Sequence, residues 1–335
     1  MKTLLVILGP TGVGKTALAI DVAERLGTEI VNADSRQIYK ELPIGTAAPT
    51  KEEQARVRHW FVGTRSIQED YNAGMYEREA LEVIGKLFEK HDTVVMTGGS
   101  MMYIDAVCKG LDELPTVSKQ TREEVRKEYE AGGMQWLRQE VEKIDPEYFA
   151  IVDKDNPQRL LHAVEITRQA GVPYSTLRSG KHAKRDFRIV QVGLTRDRAD
   201  LYNRIDARVI EMMSQGLEAE ASRVLAMRGL NSLNTVGYKE MFAYFDGEIS
   251  REEAIRLIQQ HSRNYAKRQM TWWRNRGKVT GDRLQVTGDG LRVMGDGIPQ
   301  NTNQQFLSSS ISQFNNPITW FDAEKVTTDD IIALL

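Results

Sequence analysis

Hydrophobic positions along the chain fall into two rhythms. Short β-branched runs at Leu4–Leu8, Glu29–Asn32, Thr93–Thr97, Arg188–Leu194 and Ile318–Phe321 are bounded by glycine or polar residues, as buried strands are. Longer stretches between them repeat apolar residues at three- and four-residue spacing, the pattern of helices with one buried face. The alternation predicts βα units and a parallel sheet, because the gaps are long enough for the crossovers that parallel strands need. Helices are expected to begin near Lys15, Arg36 and Met101. Others are expected at Arg198–Gln215, Leu217–Met227 and Arg251–Asn275.

Residues 115–184 have a different texture, rich in Glu, Lys, Arg and Gln and without a convincing strand. Helix starts at Ser118, Gly133 and Asp155-Asn156-Pro157, with Leu160, Leu161, Val164 and Ile166-Thr167 on one apolar face, predict an all-helical subdomain inserted between two strands. The expected division is an α/β core of residues 1–114 and 189–335 and a helical insertion of residues 115–188. Residues 277–317 stand apart. Val279-Thr280-Gly281-Asp282, Val286-Thr287-Gly288-Asp289 and Val293-Met294-Gly295-Asp296 recur every seven residues, ahead of a tract of Asn, Gln and Ser. Glycine and aspartate inside each period exclude a coiled coil, so the tract reads as a low-complexity loop, mobile or partly β-like.

Composition narrows the class. With 335 residues, 41% hydrophobic and 27% charged, the chain is long enough for about two globular domains and too apolar for wholesale disorder. No apolar run is longer than that of Leu4–Leu8, far short of the roughly 20 residues that cross a bilayer, so no membrane partner is expected. That opening run resembles a leader peptide only superficially, since Gly9-Pro10-Thr11-Gly12 stands where a cleavage region would sit. A single cysteine, Cys108, cannot form an intramolecular disulfide and fits a reducing, cytoplasmic setting. A net charge of −2 gives no global attraction to nucleic acid, so such a partner would have to meet a local patch.

Gly9-Pro10-Thr11-Gly12-Val13-Gly14-Lys15-Thr16 matches G-x-x-x-x-G-K-[ST] in full, with a hydrophobic strand before it and a helix-forming run after it. Glycines let the backbone curl so that its N–H groups face a phosphate, the helix N-terminus adds partial positive charge, and Lys15 adds a point charge. Thr16 is placed to ligate Mg²⁺. The motif predicts a P-loop NTPase-like sheet and a polyphosphate ligand without saying which. Asp34-Ser35-Arg36-Gln37-Ile38-Tyr39 follows the second strand, and its carboxylate should face the same crevice, since ligands of open α/β sheets bind at the carboxyl ends of strands. Asp34 could orient a metal's water, act as a general base, or cap a following helix. The third strand ends in Gly98-Gly99-Ser100, without the aspartate that motor and switch NTPases carry there.

Between Arg256 and Lys278 there are seven Lys or Arg and no acidic residue, with Tyr265, Trp272 and Trp273 interleaved. Arg263, Lys267 and Arg274 fall near one helical face, and a second basic stretch runs over residues 178–188. Two such patches on a near-neutral chain suit a phosphate-backbone partner, or else a solvated helix. Arg204 and Arg208, four apart, could clamp phosphate or pair with neighbouring acids.

These motifs, in this order, resemble the tRNA dimethylallyltransferases. The resemblance rests on the P-loop, Asn32-Ala33-Asp34-Ser35-Arg36-Gln37-Ile38-Tyr39, Ile44-Gly45-Thr46-Ala47, Tyr71-Asn72-Ala73 and Gly98-Gly99-Ser100-Met101-Met102-Tyr103. It continues through Asn156-Pro157-Gln158-Arg159, Arg204-Ile205-Asp206-x-Arg208, Val236-Gly237-Tyr238-Lys239-Glu240 and the run Tyr265 to Trp272. It implies transfer of a dimethylallyl group from its diphosphate to the exocyclic N6 amine of the adenosine 3′ to the anticodon. The P-loop (Gly9, Pro10, Thr11, Gly12, Val13, Gly14, Lys15, Thr16) would then hold the donor's diphosphate, with Arg204 and Arg208 assisting, and Asp34 would be the base. Lys15, Thr16 and Thr11 would join it in catalysis, with Mg²⁺ near Thr16. Asp34, Ser35, Arg36, Gln37, Ser100, Arg122, Gln158, Arg159, Leu160, Leu161 and His162 would contact tRNA. The insertion would grip the anticodon stem-loop, and a monomer is expected. The chain departs from the family pattern at Ala48, where a lysine is usual, at His162, where an arginine is, and in the 277–317 tract. From the residues alone, a small-molecule kinase and a non-catalytic RNA-binding module remain alternatives.

Overall fold

The computed structural model describes residues 1–112, 114–178, 183–275, 283–287, 290–294 and 317–335. In chain order the strands are β1 (Thr3–Leu8), β2 (Ile30–Asn32), β3 (His59–Trp60), β4 (Thr93–Gly98), β5 (Arg188–Thr195), β6 (Arg283–Thr287), β7 (Gly290–Met294) and β8 (Ile318–Asp322). The helices are α1 (Lys15–Leu26), α2 (Lys51–Arg56), α3 (Ala73–Phe88), α4 (Met101–Lys109), α5 (Lys119–Ile144), α6 (Pro146–Ile151), α7 (Pro157–Ala170) and α8 (Tyr174–Leu177). They continue with α9 (Arg198–Gln215), α10 (Leu217–Val224), α11 (Tyr238–Phe245), α12 (Arg251–Asn275) and α13 (Thr328–Ile332). The chain separates into two compact units, residues 1–108 with 184–335 and residues 109–183.

In the larger unit six parallel strands form one sheet in the order β3-β2-β4-β1-β5-β8. All six residues of the central strand β1 are buried. Leu4, Val6 and Leu8 pack into one apolar cluster and Leu5 and Ile7 into another, as the two-residue period of a strand covered on both faces requires. The strands anticipated from the hydrophobic runs all form. Helices α3, α6, α8, α11 and α13 were not anticipated, and neither were β3 and α2. β3 is two residues long, too short to show a period, and α2 is a single capped turn and a half whose signal is the Thr50–Glu53 capping box rather than apolar spacing.

The helix expected near Arg36 does not form. Residues 35–38 make a turn instead: the Asp34 carboxylate accepts from the Arg36 and Gln37 N–H groups as a helix cap would, but the chain then leaves for an isolated bridge between Tyr39 and Arg65 and the helix does not continue. Of the 277–317 tract, the described parts are β6 and β7, paired antiparallel, and Pro317; the rest of that expectation lies outside the described residues.

The smaller unit is helical. α5, α6 and α7 enclose Val125, Leu137, Val141, Tyr148, Leu160, Ala163 and Val164. Gly133 divides α5 into two helical stretches, as the helix start expected there implies: its backbone is non-helical (φ 59°, ψ −158°), at a positive φ that suits glycine. Arg168 bridges Glu128 and Glu140, and the buried Asp145 caps α6 while accepting from the Ser175 N–H and hydroxyl. Among the described residues no helix is long and apolar enough to cross a membrane.

Candidate active site

Because β2, β4 and β1 are neighbours in the sheet, the loops leaving their carboxyl ends come together. They are the Asp34–Gln37 turn, Gly99-Ser100 and the Gly9–Thr16 loop. The third opens α1, and Gly12 (φ +83°) and Gly14 (φ +111°) take up the positive φ that curls it.

Basic side chains from two directions meet this loop. Lys15 donates to the Pro10 carbonyl at 2.9 Å. From α9, Arg208 donates to the Thr11 hydroxyl at 2.5 Å and Arg204 to the Gly12 carbonyl at 3.0 Å. Burial pushes the Lys15 ammonium down to about 7; the charge of Asp34 opposes that and the charge of Arg208 adds to it. Arg208 is likewise lowered by burial, with Asp34 opposing, and its Nε is buried without a partner. Lys15, Arg208 and Asp34 therefore sense one another across one site, whose surplus of buried positive charge calls for an anion.

Asp34 uses Oδ1 to hold the turn, accepting from the Arg36 N–H at 2.9 Å and the Gln37 N–H at 3.4 Å. That leaves Oδ2 for a proton. Ser100 Oγ accepts from the Ser35 N–H at 2.7 Å and donates to the Ser35 hydroxyl at 3.0 Å. Arg36 donates to the carbonyls of Asn231, Ser232 and Asn234, and Gln37 donates through Nε2 to those of Thr46 and Ala47. The side chains of Ser35, Arg36, Gln37 and Ser100 thus brace the turn that presents Asp34.

One further carboxylate works at a distance. Glu220, fully buried, accepts from the Ile44 N–H at 3.0 Å, the Gly45 N–H at 2.8 Å and the Tyr238 hydroxyl at 2.6 Å, and so holds the loop that Gln37 grips. Burial and the Glu220 charge keep that hydroxyl protonated. Glu220→Leu strands all three donors and should cost about 3–5 kcal/mol of stability in urea denaturation. A loss below about 1 kcal/mol would mean that the loop is held by something else.

A family model described as IPP transferase matches residues 37–276. A tRNA dimethylallyltransferase of Porphyromonas gingivalis is 56% identical over 272 residues, spanning 81% of this chain and 91% of the relative. The chain belongs to the IPP transferase family. Among solved structures, the full-length tRNA isopentenylpyrophosphate transferase of Bacillus halodurans is 30% identical with a TM-score of 0.62, covering 100% of this chain and 94% of its own. A eukaryotic dimethylallyltransferase described as acting on tRNA shares the fold at a TM-score of 0.69 and 22% identity, over 81% of this chain and 70% of that one.

In this IPP transferase the remaining anticipated residues lie in the helical unit. Gln158, Arg159, Leu161 and His162 lie on the first turns of α7, and Arg159 is exposed. Leu160 is a correction. It is fully buried in the apolar cluster of that unit, where the spacing that makes α7 amphipathic places it, so its side chain is not available to a partner. Burial, and then the charge of Arg122, hold the His162 imidazole below its usual range, which favours its neutral form near pH 7.

The basic stripe expected on α12 is partly neutralised. Arg263 pairs with Asp206 and Arg256 with Glu253, while Lys267, Arg268 and Arg274 are exposed. The other face of α12 is core, through Ala254, Ile258, Ala266 and Trp273. Tyr265 and Gln269, which the sequence reading did not assign to the site, reach it from this helix. Tyr265 is pushed up to about 12, chiefly by burial and then by the charge of Asp34. Gln269 had a signal: it is a polar residue on the buried stripe, three residues beyond Ala266 and four before Trp273.

Proposed function

We propose that this chain transfers the dimethylallyl group of dimethylallyl diphosphate to the N6 amine of the adenosine 3′-adjacent to the anticodon in tRNA, releasing diphosphate. The observation that carries the reading is the electrostatic coupling of Asp34, at the end of β2, to Lys15 and Arg208 around the P-loop. One side of the crevice can hold a leaving diphosphate and the other can accept a proton.

The C1–O bond to diphosphate breaks as the N6–C1 bond forms, and the electron pair leaves with the diphosphate. Lys15, Arg208 and the loop N–H groups stabilise that growing charge. N6 becomes acidic only as it bonds to carbon, and its proton passes to Asp34 Oδ2. The adenine must leave its stack to reach this crevice, at a cost of about a few kcal/mol. Thr16 Oγ1, at the start of α1, would hold Mg²⁺ together with diphosphate oxygens and water, which matches the magnesium ion's preference for few protein ligands; the ion would supply further charge neutralisation. Among the described residues no group of three or more His, Cys, Asp or Glu could hold a metal by itself, which is consistent with a site completed by substrate. The helical unit would grip the anticodon stem-loop through Arg122, Gln158, Arg159, Leu161 and His162. A monomer working in the cytoplasm is the expected form.

Incubation with Mg²⁺, labelled dimethylallyl diphosphate and an anticodon stem-loop carrying adenosines at and after the third anticodon position should move label into RNA. Bound diphosphate without transfer would point to a different acceptor. A melting temperature raised by ATP but not by dimethylallyl diphosphate would replace this reading with a kinase.

A further inference from the structure

The loops that carry the base and the diphosphate site leave strands β2 and β1, which are not neighbours: β4 lies between them, with Asn32 opposite Thr97 and Leu8 opposite Gly98. Between β2 and β4 backbone pairing runs on just past the strands, with the Ala33 N–H donating to the Thr97 carbonyl at 2.7 Å and the Ser100 N–H to the Ala33 carbonyl at 3.1 Å, whereas the pairing of β1 with β4 stops at Leu8 and Gly98. Beyond that point two side-chain clasps join the three loops. Ser100 ties the β4 loop to Ser35, next to Asp34. Gln269 ties the β4 loop to the P-loop: its Oε1 accepts from the Thr11 N–H at 2.8 Å, and its Nε2 donates to the Gly99 carbonyl at 2.8 Å. Gln269 is 1% exposed, so both halves of its amide must be satisfied within the protein, and both are. The fit around it is close. A Cβ on Gly99 would lie 2.5 Å from Gln269 Nε2 and 3.7 Å from Asp34 Oδ2, so Gln269, Gly99 and the base share one small space.

We infer that Gln269 is a positioning residue that fixes the separation between the diphosphate loop and the Asp34 turn. This inference rests on the transfer reaction proposed above. Displacement at an allylic carbon needs amine, carbon and leaving oxygen in line, with the base on the amine. The amine is placed from the β2 side and the leaving group from the β1 side. Helix α12 supplies the clasp that makes these two sides one frame, and a neutral amide is the group that suits it, because it donates and accepts at once. Glutamine is held in one orientation by its two partners. An ionised carboxylate of the same shape can accept from Thr11 but cannot donate to Gly99.

The test compares the parent with Gln269→Leu, Gln269→Glu and Gly99→Ala in the label-transfer assay, at saturating RNA and over a range of pH. Misplacing reactants by about 1 Å costs on the order of a hundredfold, so Gln269→Leu should lose about 30- to 100-fold in kcat. KM for dimethylallyl diphosphate and RNA affinity should stay within about threefold, the split expected for lost alignment rather than lost binding. Gly99→Ala should show the same split. For Gln269→Glu, the introduced carboxyl restores both hydrogen bonds only when protonated, so activity relative to the parent should rise about tenfold from the alkaline to the acidic end of the range. Hydrogen exchange of the P-loop peptide, which needs no turnover, should be faster in Gln269→Leu than in the parent. Parental kcat in both Gln269 variants would overturn the inference. So would a parallel loss of kcat, RNA affinity and melting temperature without the pH-dependent recovery, which would make Gln269 a packing residue. A parent that transfers no label would instead overturn the proposed function, and the exchange measurement would still decide whether Gln269 holds the loop.

Discussion

Asp34→Asn should lower the single-turnover rate of transfer by about a thousandfold while leaving RNA affinity within a factor of about two. Asparagine separates the two tasks of the residue. Its side-chain carbonyl still accepts from the Arg36 and Gln37 N–H groups, as Oδ1 does now, so the turn stays in place. The amide that replaces Oδ2 cannot take a proton from the acceptor amine. Ser35, Arg36 and Gln37 keep their own anchors on Ser100, on the carbonyls of residues 231–234 and on those of Thr46 and Ala47. Asp34→Ala should lose as much in rate and also slacken the turn, which a weaker RNA affinity would report. Rapid-quench measurement with labelled donor checks both variants. An asparagine variant within tenfold of the parent would remove Asp34 from proton transfer and leave it as a turn cap only.

Lys15→Met should reduce kcat/KM for dimethylallyl diphosphate by about two to three orders of magnitude, since the ammonium faces the oxygens that gain charge as the C1–O bond breaks. A second signature is specific to this lysine. In the free protein burial holds its pKa at about 7, so near pH 8 most molecules carry a neutral amine there. A diphosphate placed beside it favours the charged form and raises that pKa. Binding must therefore take up a proton, about 0.9 per site at pH 8, and the uptake should fade as pH drops below 7, where the free protein is already protonated. Affinity correspondingly weakens as pH rises above 7. Titration calorimetry in buffers of different ionisation enthalpy counts the proton. No uptake in the parent at pH 8, or the same uptake in Lys15→Met, would show that Lys15 does not meet the diphosphate. Arg208 cannot mimic the effect, because a guanidinium remains charged throughout this range.

The candidate site was legible in unequal parts. The P-loop, Asp34, Arg204 and Arg208 could be picked out because their chemistry depends on residue type at short spacing: a glycine-rich curl before a helix, an acid at a strand end, two arginines one turn apart. Ser35, Arg36, Gln37 and Ser100 were picked out too, yet their side chains face backbone groups and one another, and motif reading cannot tell a brace from a contact. Leu160 was named as a contact because it lies inside the Gln158–His162 stretch that the family resemblance implies, although its spacing with Val164 already marked it as core. The expected helix at Arg36 failed for a related reason. Asp34 is a good helix cap by type, but here its carboxylate closes an isolated turn whose exit is fixed by pairing of Tyr39 with Arg65.

By itself the sequence determined what short-range physics controls. Runs of β-branched residues made the strands, apolar spacing made the long helices, and the G-x-x-x-x-G-K-T segment made an anion-binding loop wherever the strand before it and the helix after it were placed. Only the tertiary structure decided what depends on strand order. That order puts β4 between β2 and β1, which brings Asp34, Gly99-Ser100 and Thr11 to one edge of the sheet from positions up to 89 residues apart. It also brings Gln269, 258 residues beyond Thr11, across that edge on α12. Hydrogen bonds at such separations follow from which strands pair and which helix covers them. No local propensity encodes them, because the free energy that fixes strand order is spread over the two apolar faces of the sheet.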